Sequence, residues 1–88
     1  MSVDYKNIVT YIKKMASEVL KEFAKRIRSL RTERGLSQES FALQCGIDRT
    51  YVGRLENLKR NPSLEILSKI SDGLGMSLSE LLDFPEQG

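Results

Sequence analysis

The stretch GIDRTYVGRLENLKRNP, residues 46 to 62, sets Arg49, Thr50, Tyr51 and Arg54 among Ile47, Val52, Leu55 and Leu58, whose spacing is that of a core-facing helix. Charge between apolar anchors is ordinarily a solvated helix face. The same side chains have a second use. An arginine fork can donate two hydrogen bonds to guanine O6 and N7, and a threonine offers a hydroxyl together with a methyl that suits thymine. On a helix starting at Arg49, the residues pointing away from Val52 and Leu55 are Arg49, Thr50, Gly53 and Arg54. Which use applies depends on the elements that carry this face.

Immediately before it stands LSQESFALQCGID. Ser37 is a good N-cap, Glu39 suits the first turn, and Phe41, Ala42 and Cys45 form the buried stripe of a helix of about two turns. Gly46 breaks that helix and Asp48 caps the next. Two short helices joined by a tight glycine turn are the layout of a helix-turn-helix. Ala42 permits the close crossing, Gly46 the turn, and Ile47, Val52 and Leu55 anchor the second helix from behind, leaving its front free to enter a major groove.

The rest of the chain also reads as helix, because no window alternates β-branched residues with the period of two that a half-buried strand needs. Tyr5, Ile8, Ile12, Met15, Val19, Phe23, Ile27 and Leu30 step by three or four up to Gly35, which can take a left-handed conformation after Arg34. A run of about 30 residues is long for a globular helix, so the expectation is two helices meeting near Ala16 and Ser17, with Ser17 as the cap. Tyr5, Ile8, Ile12 and Met15 then most simply extend the core, the alternative being a second dimer contact. After LKRNP, Ser63 caps a helix whose Leu64, Leu67, Ile70 and Leu74 face inward with Ile66 beside them. Ser77 and Glu80 make a capping box before Leu78, Leu81 and Leu82, and beyond Phe84 and Pro85 the tail is expected to fray.

Composition narrows the chemistry further. The 88 residues fit one small domain, and 40% hydrophobic with 30% charged content fits a folded, soluble chain. With a single cysteine and no histidine, there is no internal disulfide, no plausible zinc set and no imidazole base, so no metal or cofactor is expected and an enzyme is the poorest reading. No apolar run approaches a membrane span and the N-terminus lacks a signal-peptide layout, which makes the cytoplasm the expected location. The net charge of +2 is unevenly distributed: residues 21 to 34 are basic and residues 61 to 88 acidic. Such polarity suits a protein that offers one face to a polyanion.

Residues 20 to 82 resemble the Cro/CI-like (XRE) helix-turn-helix family of phage repressors and bacterial regulators. The likeness rests on FAKRIRSLRTERGLSQE at 23 to 39, Ala42 and Gly46 at fixed spacing, LEN at 55 to 57, KRNPSLE at 59 to 65 and GLGMSLSELL at 73 to 82. Within that family, GIDRTYVGRLE with RNPSL is similar to the controller proteins of restriction-modification systems, which bind as dimers to operators of their own genes and of the endonuclease. The sequence departs from the common pattern at Phe41, where leucine is usual, at Gly53, where a side chain such as serine is usual, and over the first twenty or so residues, which have no counterpart in the minimal domain.

The resemblance implies a compact all-α, lambda-repressor-like helix-turn-helix domain of five or six helices. Residues 20–84 are expected to form it, with 1–19 as an N-terminal helical extension and 85–88 as a C-terminal tail. It implies that Arg49, Thr50 and Arg54 meet base edges and that Gln38, at the start of the preceding helix, contacts phosphate. Ser37, Tyr51, Asn57, Lys59 and Arg60 are further phosphate candidates, fixing register rather than sequence. Arg31 and Glu56 are expected to form a structural ion pair between the first helix and the recognition helix. Met76, Leu78, Leu81, Leu82 and Phe84 are the expected dimer patch.

The function so implied is sequence-specific binding of double-stranded DNA by a homodimer on a pseudo-palindromic operator, with transcription as the process regulated and no small-molecule ligand or membrane partner. The alternative is an antitoxin that binds both DNA and a toxin partner. An interaction adaptor that keeps the fold without reading DNA is a further rival, and it would bind DNA only without sequence preference and with steep salt dependence.

Overall fold

A computed structural model describes residues 5–84, apart from the side chains at 5–7, 11 and 12. Among the described residues the regular elements are five helices: α1 (Tyr5–Glu33), α2 (Gln38–Cys45), α3 (Arg49–Glu56), α4 (Leu64–Leu74) and α5 (Leu78–Leu81). The tail at 85–88 and the side chains of Tyr5 and Ile12 lie outside the described residues.

The expected break near Ala16 and Ser17 does not occur; α1 runs unbroken for 29 residues. Neither glycine nor proline interrupts the segment, its apolar positions never lose helical phase, and Ser17 stays an exposed residue of the helix rather than a cap. Among the described side chains of α1, those that enter the core are Phe23, Ala24, Ile27 and Leu30, all in its second half. Ile8 and Met15 are exposed, so they do not extend the core as expected. The described residues therefore measure 53 × 25 × 20 Å, with α1 setting the long dimension.

Local chemistry explains where the short helices begin. Ser37, Asp48, Ser63 and Ser77 each have extended backbone and accept a hydrogen bond from an amide two or three residues on: Ser40, Thr50, Ile66 and Glu80, respectively. Those bonds satisfy donors that a helix start leaves open. The Glu80 carboxylate in turn accepts from the Ser77 amide at 3.1 Å, completing the box. Between α2 and α3 the chain reverses at Gly46, whose φ of 68° is the left-handed value that a side chain disfavours. This lets the Ile47 amide reach the Ala42 carbonyl at 3.0 Å.

The core gathers one stripe from each helix: Phe23, Ile27 and Leu30; Phe41, Ala42 and Cys45; Val52 and Leu55; Leu67, Ile70 and Leu74; and Leu81. Packing of α2 against α4 is tight enough to exclude a side chain at Gly73, where a Cβ would lie 2.7 Å from Cys45 Sγ and 2.8 Å from its Cα. Gln44 donates across this contact to the Gly73 carbonyl at 2.8 Å. Burial pushes the Cys45 thiol up to about 11, so it stays a neutral packing group.

Two leucines depart from expectation. Leu64, at the first position of α4, is exposed, because the inward row starts only at Leu67. Leu58 is not an anchor of α3 either: it is exposed and has φ of 64°, unusual for a leucine. There it ends the helix, since its amide bonds the Leu55 carbonyl at 3.2 Å and the Lys59 amide bonds the Arg54 carbonyl at 2.8 Å. The turn a glycine ordinarily makes is thus made by a strained leucine beside the candidate site.

At the other end, α5 is fastened to α1 by side chains. Arg26 donates to the carbonyls of Glu80 at 2.7 Å and Leu81 at 3.3 Å, and Phe23 meets Phe84 edge to face with centroids 6.4 Å apart.

Candidate nucleic-acid interface

The outer face of α3 is built from the inside out. Val52 and Leu55 are fully buried and hold the helix against α1 and α2, which turns Arg49, Thr50 and Arg54 to the exposed side. Asp48 fixes the first turn by accepting from the Thr50 amide at 2.7 Å. The exposed side is concave, with a volume of about 550 Å³ lined by Gln38, Arg49, Thr50, Gly53, Arg54, Asn57 and Lys59. Three cations and no carboxylate line it, so its electrostatics favour an anionic, hydrogen-bonding surface.

The structure therefore brings Arg49, Thr50 and Arg54 together with three of the six phosphate candidates, Gln38, Asn57 and Lys59. The others do not line the concavity. The Ser37 hydroxyl is engaged with the amide and hydroxyl of Ser40, each at 3.0 Å, Tyr51 is half-buried against the core, and Arg60 is exposed but not part of the lining. Gly53 sits at the middle of the face. Its φ is not left-handed, and a Cβ there would meet only Gln38 Oε1 at 3.7 Å, an ordinary contact. Nothing inside the protein requires a glycine at this position.

Behind the face, Glu56 anchors α3 to α1. Arg31 grips its carboxylate with both arms, Nε to Oε2 at 2.8 Å and Nη2 to Oε1 at 3.0 Å, while Nη1 reaches the Leu36 carbonyl at 2.9 Å. Two further donors were not apparent from the sequence: Arg28 Nε at 3.4 Å and Gln38 Nε2 at 3.3 Å, both to Oε1. Their only sequence signal was helical phase, since Arg28 lies one turn before Arg31 on α1. Gln38 thus joins the buried carboxylate to the rim of the concavity.

Burial alone would push the Glu56 carboxyl up. The hydrogen bonds from Arg31 and Gln38, the charge of Arg31 and the bond from Arg28 outweigh it and hold the group below its ordinary 4.5. A carboxylate depressed on folding contributes stability that is complete above about pH 4.5 and is lost as the pH falls through its folded-state value. Acid unfolding curves of wild type and Glu56→Gln are accordingly expected to converge below pH 4.5, the wild type losing stability faster. Parallel curves through that range would contradict the assignment.

The expected dimer patch is uneven. Leu78 and Leu82 are exposed, Met76 and Phe84 are half-buried, and Leu81 lies wholly inside the protomer, where it backs the patch rather than reaching outward. Among the described residues, no cluster of three histidines, cysteines or carboxylates is placed to hold a metal ion, and no helix is long and apolar enough to cross a membrane.

Known proteins resemble this chain in sequence and in fold. The family described as Helix-turn-helix matches residues 27–81. The control protein C.MunI of a Mycoplasma species is 57% identical over 60 residues, which are 67% of this chain and 81% of that protein. Among solved structures, the restriction-modification controller protein C.AhdI of Aeromonas hydrophila superimposes with a TM-score of 0.67 at 45% identity, over 70% of this chain and 94% of that one. The controller protein C.Esp1396I, solved as a tetramer in complex with its natural 35 base-pair operator, superimposes with a TM-score of 0.65 at 33% identity, over 73% of this chain and 88% of that one.

Proposed function

Because this chain belongs to the Cro/CI-like helix-turn-helix family, with restriction-modification controller proteins among its relatives, we propose that it is a sequence-specific, double-stranded DNA-binding regulator of transcription acting as a homodimer. The observation that carries this reading is the cationic concavity along α3, in which Arg49, Thr50 and Arg54 share one outward face. In a major groove, Arg49 and Arg54 donate to guanine edges and Thr50 meets a thymine, while Gln38, Asn57 and Lys59 hold the flanking phosphates. A two-fold pair of such faces reads a pseudo-palindrome whose half-sites lie about 34–36 Å apart, one helical turn. Regulation of restriction-modification genes and a place in the cytoplasm belong to the same proposal, supported by the controller proteins among the relatives. The DNA-binding unit is taken as residues 20–84 and the extension as 1–19. The family match over 27–81 supports this division, although α1 runs through the boundary without a break.

Selecting bound fragments from random duplex DNA tests the reading. Enrichment of a two-fold symmetric site with that spacing is expected; a bound pool without enrichment or symmetry would reject it.

Gly53 offers a second check. Alanine fits at this position and is the better helix former, so Gly53→Ala is expected to stabilise the fold by about 0.5–1 kcal/mol. On the proposed reading its methyl fills the floor of the concavity and weakens operator binding. Thermal melts and operator titrations on the same variant separate the two effects; gains in both stability and affinity would show that nothing approaches α3 there.

A further inference from the structure

Among its described side chains, the first half of α1 buries none within the protomer. Its described residues from 8 to 19 are all exposed, including Ile8 at 41%, Val9 at 48%, Met15 at 48% and Val19 at 55%. These four fall on the helical face that continues into buried Phe23, Ile27 and Leu30, so one apolar stripe is half covered and half bare. An isolated helix of about 12–15 residues is marginal in water. A continuous helix with a bare stripe of this length calls for a surface to lie on.

What covers it follows from where the stripe leads. Ala16, Val19, Leu20 and Phe23 of α1 line a groove of about 300 Å³ together with Leu82 and Phe84, two residues of the expected dimer patch. The bare stripe and that patch are therefore one continuous apolar surface. The patch alone is small: α5 has four residues, and its Leu78 and the adjacent Leu82 are only 37% and 38% exposed. A stable interface takes about 800 Å² from each partner, far more than these two side chains and the half-buried Met76 and Phe84 supply.

We infer that the N-terminal half of α1 is part of the homodimer interface, its Ile8, Val9, Met15 and Val19 packing on the α1 stripe and α5 patch of a second copy of this chain. This rests on the homodimer reading above and adds its main contact surface. The DNA-reading unit is then held in register by a long helical arm as well as by the short α5. Dissociation uncovers the arm, so its helix content falls when the dimer comes apart.

Sedimentation equilibrium of the full chain without DNA tests the inference, using Met15→Glu/Val19→Glu. Both positions are exposed in the protomer, so the fold of the core tolerates the change, whereas a dimer would bury four like charges. The expected result is a dimer dissociation constant raised by about tenfold or more, with Leu43→Glu, on exposed α2 surface, unchanged. Dilution of the wild type is expected to lower its far-UV helical signal in step with dissociation. A double variant that dimerises like the wild type, while Leu82→Glu weakens the dimer, would overturn this inference and leave the homodimer reading standing. A wild type that stays monomeric both free and on operator DNA would overturn both, including the case in which the arm binds vesicles of anionic lipid instead.

Discussion

Replacing Arg31 by alanine is expected to destabilise the fold by about 3–5 kcal/mol, the cost of leaving a buried carboxylate without its main partner. Glu56 has a side chain only 1% exposed, and Arg31 supplies both of its short hydrogen bonds. What remains after the substitution is Arg28, 61% exposed and at 3.4 Å, and the neutral amide of Gln38. Neither offsets the desolvation of a charge. Because small domains are stable by about 5–15 kcal/mol, this is a large share of the total. Arg31→Met with Glu56→Leu removes both charges and is expected to recover most of it, since an apolar pair of similar volume often replaces a buried ion pair without loss. Urea unfolding of the single and double variants measures the difference. A destabilisation below about 1 kcal/mol for Arg31→Ala would show that the pair behaves as a solvated surface contact.

The second large effect concerns recognition. Arg49→Ala and Arg54→Ala are each expected to remove about 1–3 kcal/mol of operator discrimination, roughly 5- to 150-fold in affinity, while changing binding to random duplex much less. Both arginines are exposed, so the folded state does not depend on them. Lys59→Ala serves as the contrast: if this rim cation holds a phosphate as proposed, its loss is expected to lower affinity on every sequence alike and to flatten the salt dependence by about one counterion. Equal weakening on operator and random DNA for the arginine variants would remove them from base reading.

Much of this architecture could be read from the residues, and what could not has physical causes. The starts of α2 to α5 were legible because Ser37, Asp48, Ser63 and Ser77 act locally, each on an amide within three residues. The turn at Gly46 was legible for the same reason. Ser17 carried the same local signal as a cap, but a cap needs a break in helical backbone, and the uninterrupted apolar phase of α1 overrides it. Leu58 fits the spacing of α3 but lies beyond its end, where the left-handed turn, not periodicity, decides its direction. Leu64 and Leu81 show the limit of hydrophobicity as a guide: one faces outward from a first helical turn, the other, the last residue of α5, is wholly buried although Leu78 and Leu82 beside it are exposed. At the site, the outward face of α3 followed from helix geometry alone. The convergence of Arg28 and Gln38 on Glu56 did not, because it depends on how α1, α2 and α3 cross.

On the proposed reading, Arg49 and Arg54 of the two protomers meet guanine edges in two successive major grooves. Methylation interference at guanine N7 on the selected operator tests it most directly, since a methyl there occupies the acceptor that an arginine fork requires. Interference is predicted in two clusters about one helical turn apart for the wild type, with guanines dropping out of both clusters in Arg49→Ala or Arg54→Ala. Binding that is indifferent to N7 methylation, or interference unchanged by either substitution, would show that these arginines do not read guanine.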